Sequence, residues 1–346
     1  MKLFVYGTLQ EGEPLNTYLR GSKLLTTLEV PGALYDTGMG YPAATFEPGA
    51  SSTVTGELFY LHDGAQDRLK TLDKIEGAAH ALFRRKIITH GDHSFFAYEA
   101  SKALAPHHGE RRVISTGSWR RHASTAKTEP ARFALEFAAS ESLRYKELPP
   151  QEWDAQVYLR GDVPVLLTAP HATRHWRMGK VKYQDRFTGP LALIVHCLTG
   201  CHTLYTHWAS ERDPNYYYDA PFKRRLAEVV GAHEIKLVID LHGTVNKSEP
   251  DIYPGVGVES EFLLGREQWL EILNSSLKEA NLTSGGTNVF KASVQDTVTK
   301  YSARSLGVPA MQLEIHERLR HPESSPEGFE TLVRLLASYI ESLDDL

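Results

Sequence analysis

The chain has little cysteine: two residues in 346, Cys197 and Cys201. That argues against a disulfide-stapled secreted scaffold. A run of about 18 apolar residues is missing too, so no transmembrane helix is expected. The opening Met1-Lys2-Leu3-Phe4-Val5-Tyr6-Gly7 turns polar too soon for a signal peptide and reads as a buried first strand. The expected location is the cytoplasm. Charge of one sign is scarce as well, with 38 Lys and Arg against 43 Asp and Glu and a net charge of −5. This balance gives no electrostatic reason to expect nucleic acid or an anionic membrane as partner. No internal repeat or low-complexity tract is visible. Histidine, by contrast, is plentiful at 16 residues, which makes metal chemistry worth looking for. Single cores stop growing near roughly 250–300 residues, so a chain of 346 fits two domains comfortably.

Three regions separate by pattern. Residues 1–122 carry short strand signals at Lys2–Tyr6, Ser52–Leu61, Lys86–Thr89 and Ser94–Ala100, with short helices near Leu15–Leu19 and Gln66–Ile75. They predict a small α+β barrel or curled sheet. Residues 123–155 read as a linker, with polar Thr125–Pro130, one helix over Phe133–Tyr145 and a stiff Leu148-Pro149-Pro150. From residue 156 to 346, buried strands alternate with helices. Val163–Thr168, Lys236–Leu241 and Ala310–Ile315 are continuous apolar runs. Helices are expected over Gly189–Leu198, Ala220–Val230, Leu263–Ala280 and Pro326–Leu343. This predicts an α/β domain with a mainly parallel sheet flanked by helices.

In the first region, Val5-Tyr6-Gly7-Thr8-Leu9 is a strand running into a glycine turn, whose N–H groups can hold a carboxylate or an oxyanion. Six further motifs follow in order: Gly32–Asp36, Tyr41–Ala43, Gly56–Phe59, Leu72–Gly77, Phe83–Arg85 and Gly117–Trp119. The succession resembles the γ-glutamylcyclotransferase and AIG2-like family over about a third of the chain. The resemblance implies a cyclotransferase fold and release of 5-oxoproline from a γ-glutamyl amine or peptide. It makes Glu76 the acid/base. The chemistry agrees: the substrate α-amine must lose a proton to attack its own γ-carbonyl, and the leaving amine must gain one. One carboxylate of raised pKa can carry both transfers. Tyr6, Gly7, Thr8 and Leu9 would bind the substrate. Glu57, in a strand, is the competing carboxylate. Phe83 stands where a tyrosine is commoner in the family, after Ala78-Ala79-His80-Ala81-Leu82, so the leaving group is expected to differ.

In the third region, His171 follows the first buried strand, His242 ends the second and Glu314 lies in the third. Ligands of open α/β sheets bind outside the carboxyl ends of the strands. Two histidines, a carboxylate and an open position make a catalytic zinc site. Ala169-Pro170-His171, Asp185–Gly189, Asp213–Tyr216, Asp240–Gly243 and Gln312–Ile315 resemble the N-formylglutamate amidohydrolase-like family, distantly akin to zinc carboxypeptidases. The resemblance implies one zinc ion held by His171 and His242, Glu314 as general base or acid, and Asp240 orienting His242. Where carboxypeptidase-type sites place a carboxylate three residues after the first histidine, this chain has Arg174. Asp185 is then the expected third ligand, with Asp213 next. Arg174, Arg186 and Arg318 are candidates to grip a substrate carboxylate. Tyr216-Tyr217-Tyr218 could line the cleft or pack. Cys197 and Cys201, flanked by His196 and His202, are four apart on an expected helix face, and buried free thiols are the preferred reading over half a metal site.

The two regions together predict a bifunctional enzyme acting on a small molecule or peptide with a γ-glutamyl or N-acyl-glutamate-like group. The alternative is a single live site, the C-terminal amidohydrolase, with the N-terminal domain as a ligand-binding module.

Overall fold

The computed structural model describes every residue except 12, 14, 38–40, 63, 77, 79–81, 102–112, 142–145, 147, 150–153, 245–249, 291, 293–294 and 344–346, and the side chains of 17, 136 and 139–141. Gly77, Ala79–Ala81, the end of the helix expected to reach Tyr145, and Pro150 thus lie outside the described residues. The chain divides into two compact units, Met1–Thr125 and Ala126–Leu346. Among the described residues no helix is long and apolar enough to cross a membrane.

The N-terminal unit is a six-stranded sheet of β1 (Lys2–Val5), β2 (Lys23–Asp36), β3 (Pro42–Phe46), β4 (Thr53–Tyr60), β5 (Phe83–His90) and β6 (His93–Ala100). The strand order is β3-β2-β4-β1-β6-β5. Only β1 and β6 run parallel; the other pairs are antiparallel. Helix α1 (Ala65–Ile75) links β4 to β5. The sheet curls because β2 serves two partners in turn: Lys23–Pro31 pairs with β4, and Gly32–Asp36 with β3. A Cβ on Gly32 would stand 2.1 Å from the Thr45 carbonyl oxygen, so only glycine permits the changeover. The far edges then meet. Phe46 N–H donates to Glu99 Oε1 at 3.0 Å, and Lys86 Nζ donates to the Phe46 carbonyl at 3.1 Å. Phe4, Leu34, Phe46, Leu58 and Phe95 fill the interior. Strand β2 was not anticipated, since its first half is largely exposed and carries no alternating apolar signal. The helix expected near Leu15–Leu19 is a single 3-10 turn, Asn16–Leu19.

Helices α2 (Trp119–Thr128) and α3 (Pro130–Glu141) follow, and the division between units falls within α2. Phe133 and Phe137 are buried in the core of the second unit.

That unit contains β7 (Gln156–Leu159), β8 (Val163–Ala169), the hairpin of β9 (His175–Arg177) and β10 (Lys180–Lys182), α4 (Thr188–Thr199), β11 (Cys201–Thr206), α5 (Pro221–Ala232), β12 (Leu237–Thr244), β13 (Ile252–Gly255), α6 (Gln268–Glu279), α7 (Val298–Leu306), β14 (Ala310–His316), α8 (Glu317–Arg320) and α9 (Pro326–Glu341). The main sheet has the order β13-β14-β12-β8-β11-β7. Its four central strands are parallel and its two edge strands antiparallel. One face packs on α3, α4, α6 and α9 through Val165, Leu167, Ile239, Leu241, Leu313 and Ile315. The other packs on α5 and α7 through Leu166, Val238 and Ala310. Burial on both faces explains the continuous apolar runs.

Two local features differ from expectation. The helix expected over Leu263–Ala280 is broken: Leu264 and Gly265 adopt φ of 50° and 85°, and α6 begins only at Gln268. Cys197 and Cys201 do not share a helix face, because Gly200 (φ 73°) ends α4 and Cys201 opens β11. Neither cysteine is in a disulfide, and burial pushes the Cys201 thiol up to about 11.

Candidate active sites

Each unit holds a cavity that brings sequence-predicted site residues together. In the first, the end of β1, the turn that follows it and the end of α1 enclose about 120 Å³ lined by Tyr6, Gly7, Thr8, Leu9, Tyr41, Phe83 and Glu76, among others. Gly7 is required by space, since a Cβ there would meet Pro42 Cγ at 2.7 Å. The Tyr6 hydroxyl is committed, donating to the Tyr98 carbonyl at 2.6 Å. Among the described residues, the N–H groups of Gly7, Thr8 and Leu9 donate no hydrogen bond. Glu76 caps α1, its own N–H bonded to the Leu72 carbonyl. Its carboxyl has no hydrogen-bond partner among the described residues, and burial pushes it from 4.5 up to about 7. Glu57 lies elsewhere and is spoken for: Arg120 Nη1 donates to it at 2.7 Å and Glu11 N–H at 2.7 Å. Arg84 and Lys86 both pair with Glu99.

The second cavity, about 540 Å³, opens at the carboxyl ends of the parallel strands and is lined by His171, Asp185, His242, Glu314, Arg177 and Asn215, among others. Its position follows from one face of the sheet turning polar along the strands. Leu166 gives way to Thr168, Val238 to Asp240 and His242, and Ala310 to Gln312 and Glu314. The register sets Glu314 beside His242 and Thr168 beside Asp240.

The two imidazoles are held alike. His242 Nδ1 lies 3.1 Å and His171 Nδ1 3.6 Å from Asp185 Oδ2. Their Nε2 atoms face buried carboxylates, His171 toward Asp213 Oδ1 at 2.9 Å and His242 toward Asp240 Oδ2 at 3.1 Å, but His242 Nε2 also meets Asn215 Nδ2 at 2.8 Å. Asp240 also accepts from the Thr168 hydroxyl at 2.6 Å. Burial alone would push both histidines down. The carboxylates outweigh it and raise both, His242 the further. Burial would raise Asp185 and Asp213, yet the facing imidazoles hold both well below the usual carboxylate range. Glu314 is pushed up to about 7, chiefly by burial.

Two groups here could hold an ion, with ligand atoms within 4.8 Å of one another: His171 with Asp185 and His242, and His171 with His175 and Asp213. The first fits a tetrahedral ion. It offers two nitrogens and an oxygen, each imidazole is oriented by a carboxylate behind it, and one side opens on the cavity. The second is blocked, because Asp213 already accepts from Arg177 Nε at 2.6 Å and from Asn215 N–H at 2.8 Å.

Among the arginines singled out by sequence, Arg318 is paired with Asp251 at 2.9 Å and Arg186 with Glu323 at 2.6 Å. Arg174 lies over the Tyr183 ring. None of the three lines the cleft. Arg177, which does, was missed. No motif marks it, and only its alternation with His175 on β9 hints that it faces inward. Tyr216 packs under Arg177, and Tyr217 donates no contact to the ion-holding group but accepts the Met178 N–H at 2.9 Å.

Residues 3–121 match the family described as Gamma-glutamyl cyclotransferase, AIG2-like. The N-terminal unit is AIG2-like. Over 75 residues the chain is 39% identical to the gamma-L-glutamyl-butirosin B gamma-glutamyl cyclotransferase of Niallia circulans, covering 21% of this chain and 44% of that protein. The match thus spans under half of the curated relative. An AIG2-like protein of Mus musculus overlays with a TM-score of 0.25 at 22% identity, over 29% of this chain and 76% of the other. A bacteriophage poly-gamma-glutamate hydrolase overlays with a TM-score of 0.38 at 15% identity, over 55% and 90%. Neither overlap is close enough to bear on function.

Proposed function

We propose that the chain is a bifunctional enzyme acting on γ-glutamyl or N-acyl-glutamate-like compounds. The N-terminal unit releases 5-oxoproline by cyclotransfer, and the C-terminal unit hydrolyses an amide with zinc. For the first activity the supporting observation is the placement of Glu76, a carboxyl poised near 7 in the same small cavity as the undonated N–H groups of Gly7, Thr8 and Leu9. These groups receive the substrate carboxylate or the developing oxyanion. Ionised Glu76 takes a proton from the substrate α-amine as its nitrogen bonds to the γ-carbonyl carbon. The bond from that carbon to the leaving amine then breaks, and Glu76 returns the proton to the amine. The matched Niallia circulans protein bears a name that specifies a γ-glutamyl substrate, which agrees with this class.

For the second activity the carrying observation is the convergence of His171, His242 and Asp185, with Asp213 and Asp240 fixing the imidazoles from behind. In the tautomer where Nε2–H of His171 donates to Asp213, its Nδ1 is free to hold zinc, and His242 turns its Nδ1 toward the same Asp185 oxygen. A bound zinc ion supplies Lewis acidity to an amide carbonyl and acidifies water. Glu314, beside His242 in the register, takes the proton of the attacking water and passes it to the leaving nitrogen.

Elemental analysis tests the metal site directly. About one zinc per chain is expected in wild type and none in the His171→Ala/His242→Ala protein. Wild-type protein purified with zinc supplied, yet free of metal, would sink the hydrolase reading. The search for activity would then rest on 5-oxoproline release.

A further inference from the structure

The C-terminal cleft has a permanent cation of its own. Among its described lining residues only Arg177 carries a fixed positive charge. Its guanidinium is anchored at one end, where Nε donates to Asp213 Oδ2 at 2.6 Å. Its central carbon lies over the Tyr216 ring, 5.2 Å from the centroid. Among the described residues, neither Nη atom donates a hydrogen bond. A guanidinium held at Nε and set over a ring has less rotamer freedom left, so less entropy is lost when its other end binds. Two parallel N–H groups at that end match a carboxylate.

The surroundings narrow the ligand. Asp213 joins Arg177 to His171, accepting from the one at Oδ2 while its Oδ1 lies 2.9 Å from the other's Nε2. One carboxylate's width therefore separates the guanidinium from the ring proposed to hold zinc. A group read by Arg177 sits a few bonds from the amide being cut. Val289 and Phe290 supply an apolar wall of the same cleft, suited to a short methylene chain.

Resting on the hydrolase reading above, we infer that Arg177 is a specificity-determining residue that binds a free carboxylate of the substrate, close to the scissile amide. The preferred substrate is then the amide of a short dicarboxylic or amino-dicarboxylic acid. Arg174, Arg186 and Arg318 have no part in this recognition.

Glutarate and its neutral diamide, glutaramide, are suitable probes, measured by titration calorimetry on the zinc-loaded full-length protein. Glutarate is expected to bind wild type more tightly than glutaramide. Arg177→Met should weaken glutarate about 10- to 100-fold, the worth of hydrogen bonds to a charged group. It should leave glutaramide binding and zinc content unchanged. Arg177→Lys, which keeps the charge without the fork, should restore part of the loss and guards against misfolding of the Met variant. Undiminished glutarate binding in Arg177→Met would overturn the inference. So would equal binding of the two probes by wild type, or joint loss of both probes and of zinc, which would make Arg177 a mere brace for Asp213. If glutarate binding depends on Arg177 while wild type holds no zinc and cleaves no amide, the hydrolase reading falls and the carboxylate site stands.

Discussion

Both cavities hold a carboxyl lifted by burial, Glu76 in one and Glu314 in the other, but the C-terminal site adds carboxylates that imidazoles hold low. In the N-terminal one, Glu76 stands among largely apolar walls without a described hydrogen-bond partner, and burial alone lifts it to about 7. At the C-terminal site, the histidines facing half-buried Asp185 and fully buried Asp213 hold both low. A lone buried carboxyl becomes a proton carrier near neutral pH. A buried carboxylate locked to imidazole becomes a fixed charge that orients a ring. The first arrangement suits proton transfer and the second suits an ion.

The sharpest way to break this comparison is to disable one site at a time. Glu76→Gln removes a general acid/base, an effect of about 10²–10⁴-fold. 5-Oxoproline release from a γ-glutamyl amine should fall toward the upper end of that range while zinc content stays at wild type. If only the C-terminal site is alive, Glu76→Gln will change no turnover at all. His242→Ala should do the converse. Orienting carboxylates are worth about 10–100-fold in metal affinity, so loss of a direct donor should cost about 10³-fold, read as vanished zinc and amide cleavage with 5-oxoproline release intact.

Asp240→Asn probes the layer behind the ligands. It should weaken zinc about 10–100-fold in a competition titration with a chelator, without unfolding the protein. Gly7→Ala is the matching test of the other cavity. Its Cβ would press on Pro42 at 2.7 Å, and a loss of about 1–3 kcal/mol in denaturant unfolding of the N-terminal unit is expected.

The pH dependence of stability is the most diagnostic of a lone buried carboxyl. Folded Glu76 titrates near 7 against an ordinary 4.5, so between these values the native state holds a proton that the unfolded chain has released. Stability is therefore whole below about pH 4.5 and falls as pH rises to 7, by at most about 3 kcal/mol. Glu76→Gln should melt higher than wild type at pH 8 and together with it at pH 4.5. Equal melting at both would mean that Glu76 is solvated.

Much of the chemistry was legible in one dimension because it sits at strand ends. His171 and His242 follow apolar runs and Glu314 lies in one; the length and spacing of these runs announce parallel strands, which deliver their terminal residues to one edge. Glu76 was marked instead by the resemblance of Leu72–Gly77 to a family motif, since a helix end before a glycine is by itself an ordinary cap. Less legible was β2, whose first half faces solvent, and the break at Leu264–Gly265, where two positive φ angles interrupt an otherwise helical pattern. Arg177 could not be told from Arg174, Arg186 or Arg318 by composition, since an arginine's role depends on which carboxylate claims it.

What the sequence by itself determined is the alternation of buried strands and helices in the second unit, and the residue types that can move protons or hold an ion. These follow from local pattern and from the period of burial. The partners were decided only by the tertiary structure. It set Asp185 between two imidazoles and paired Arg318 with Asp251 away from the cleft. It also gave Asp213 to both His171 and Arg177. Coulombic and hydrogen-bonded partnership depends on distances of a few ångströms between residues up to tens of positions apart, and only the folded chain sets those distances.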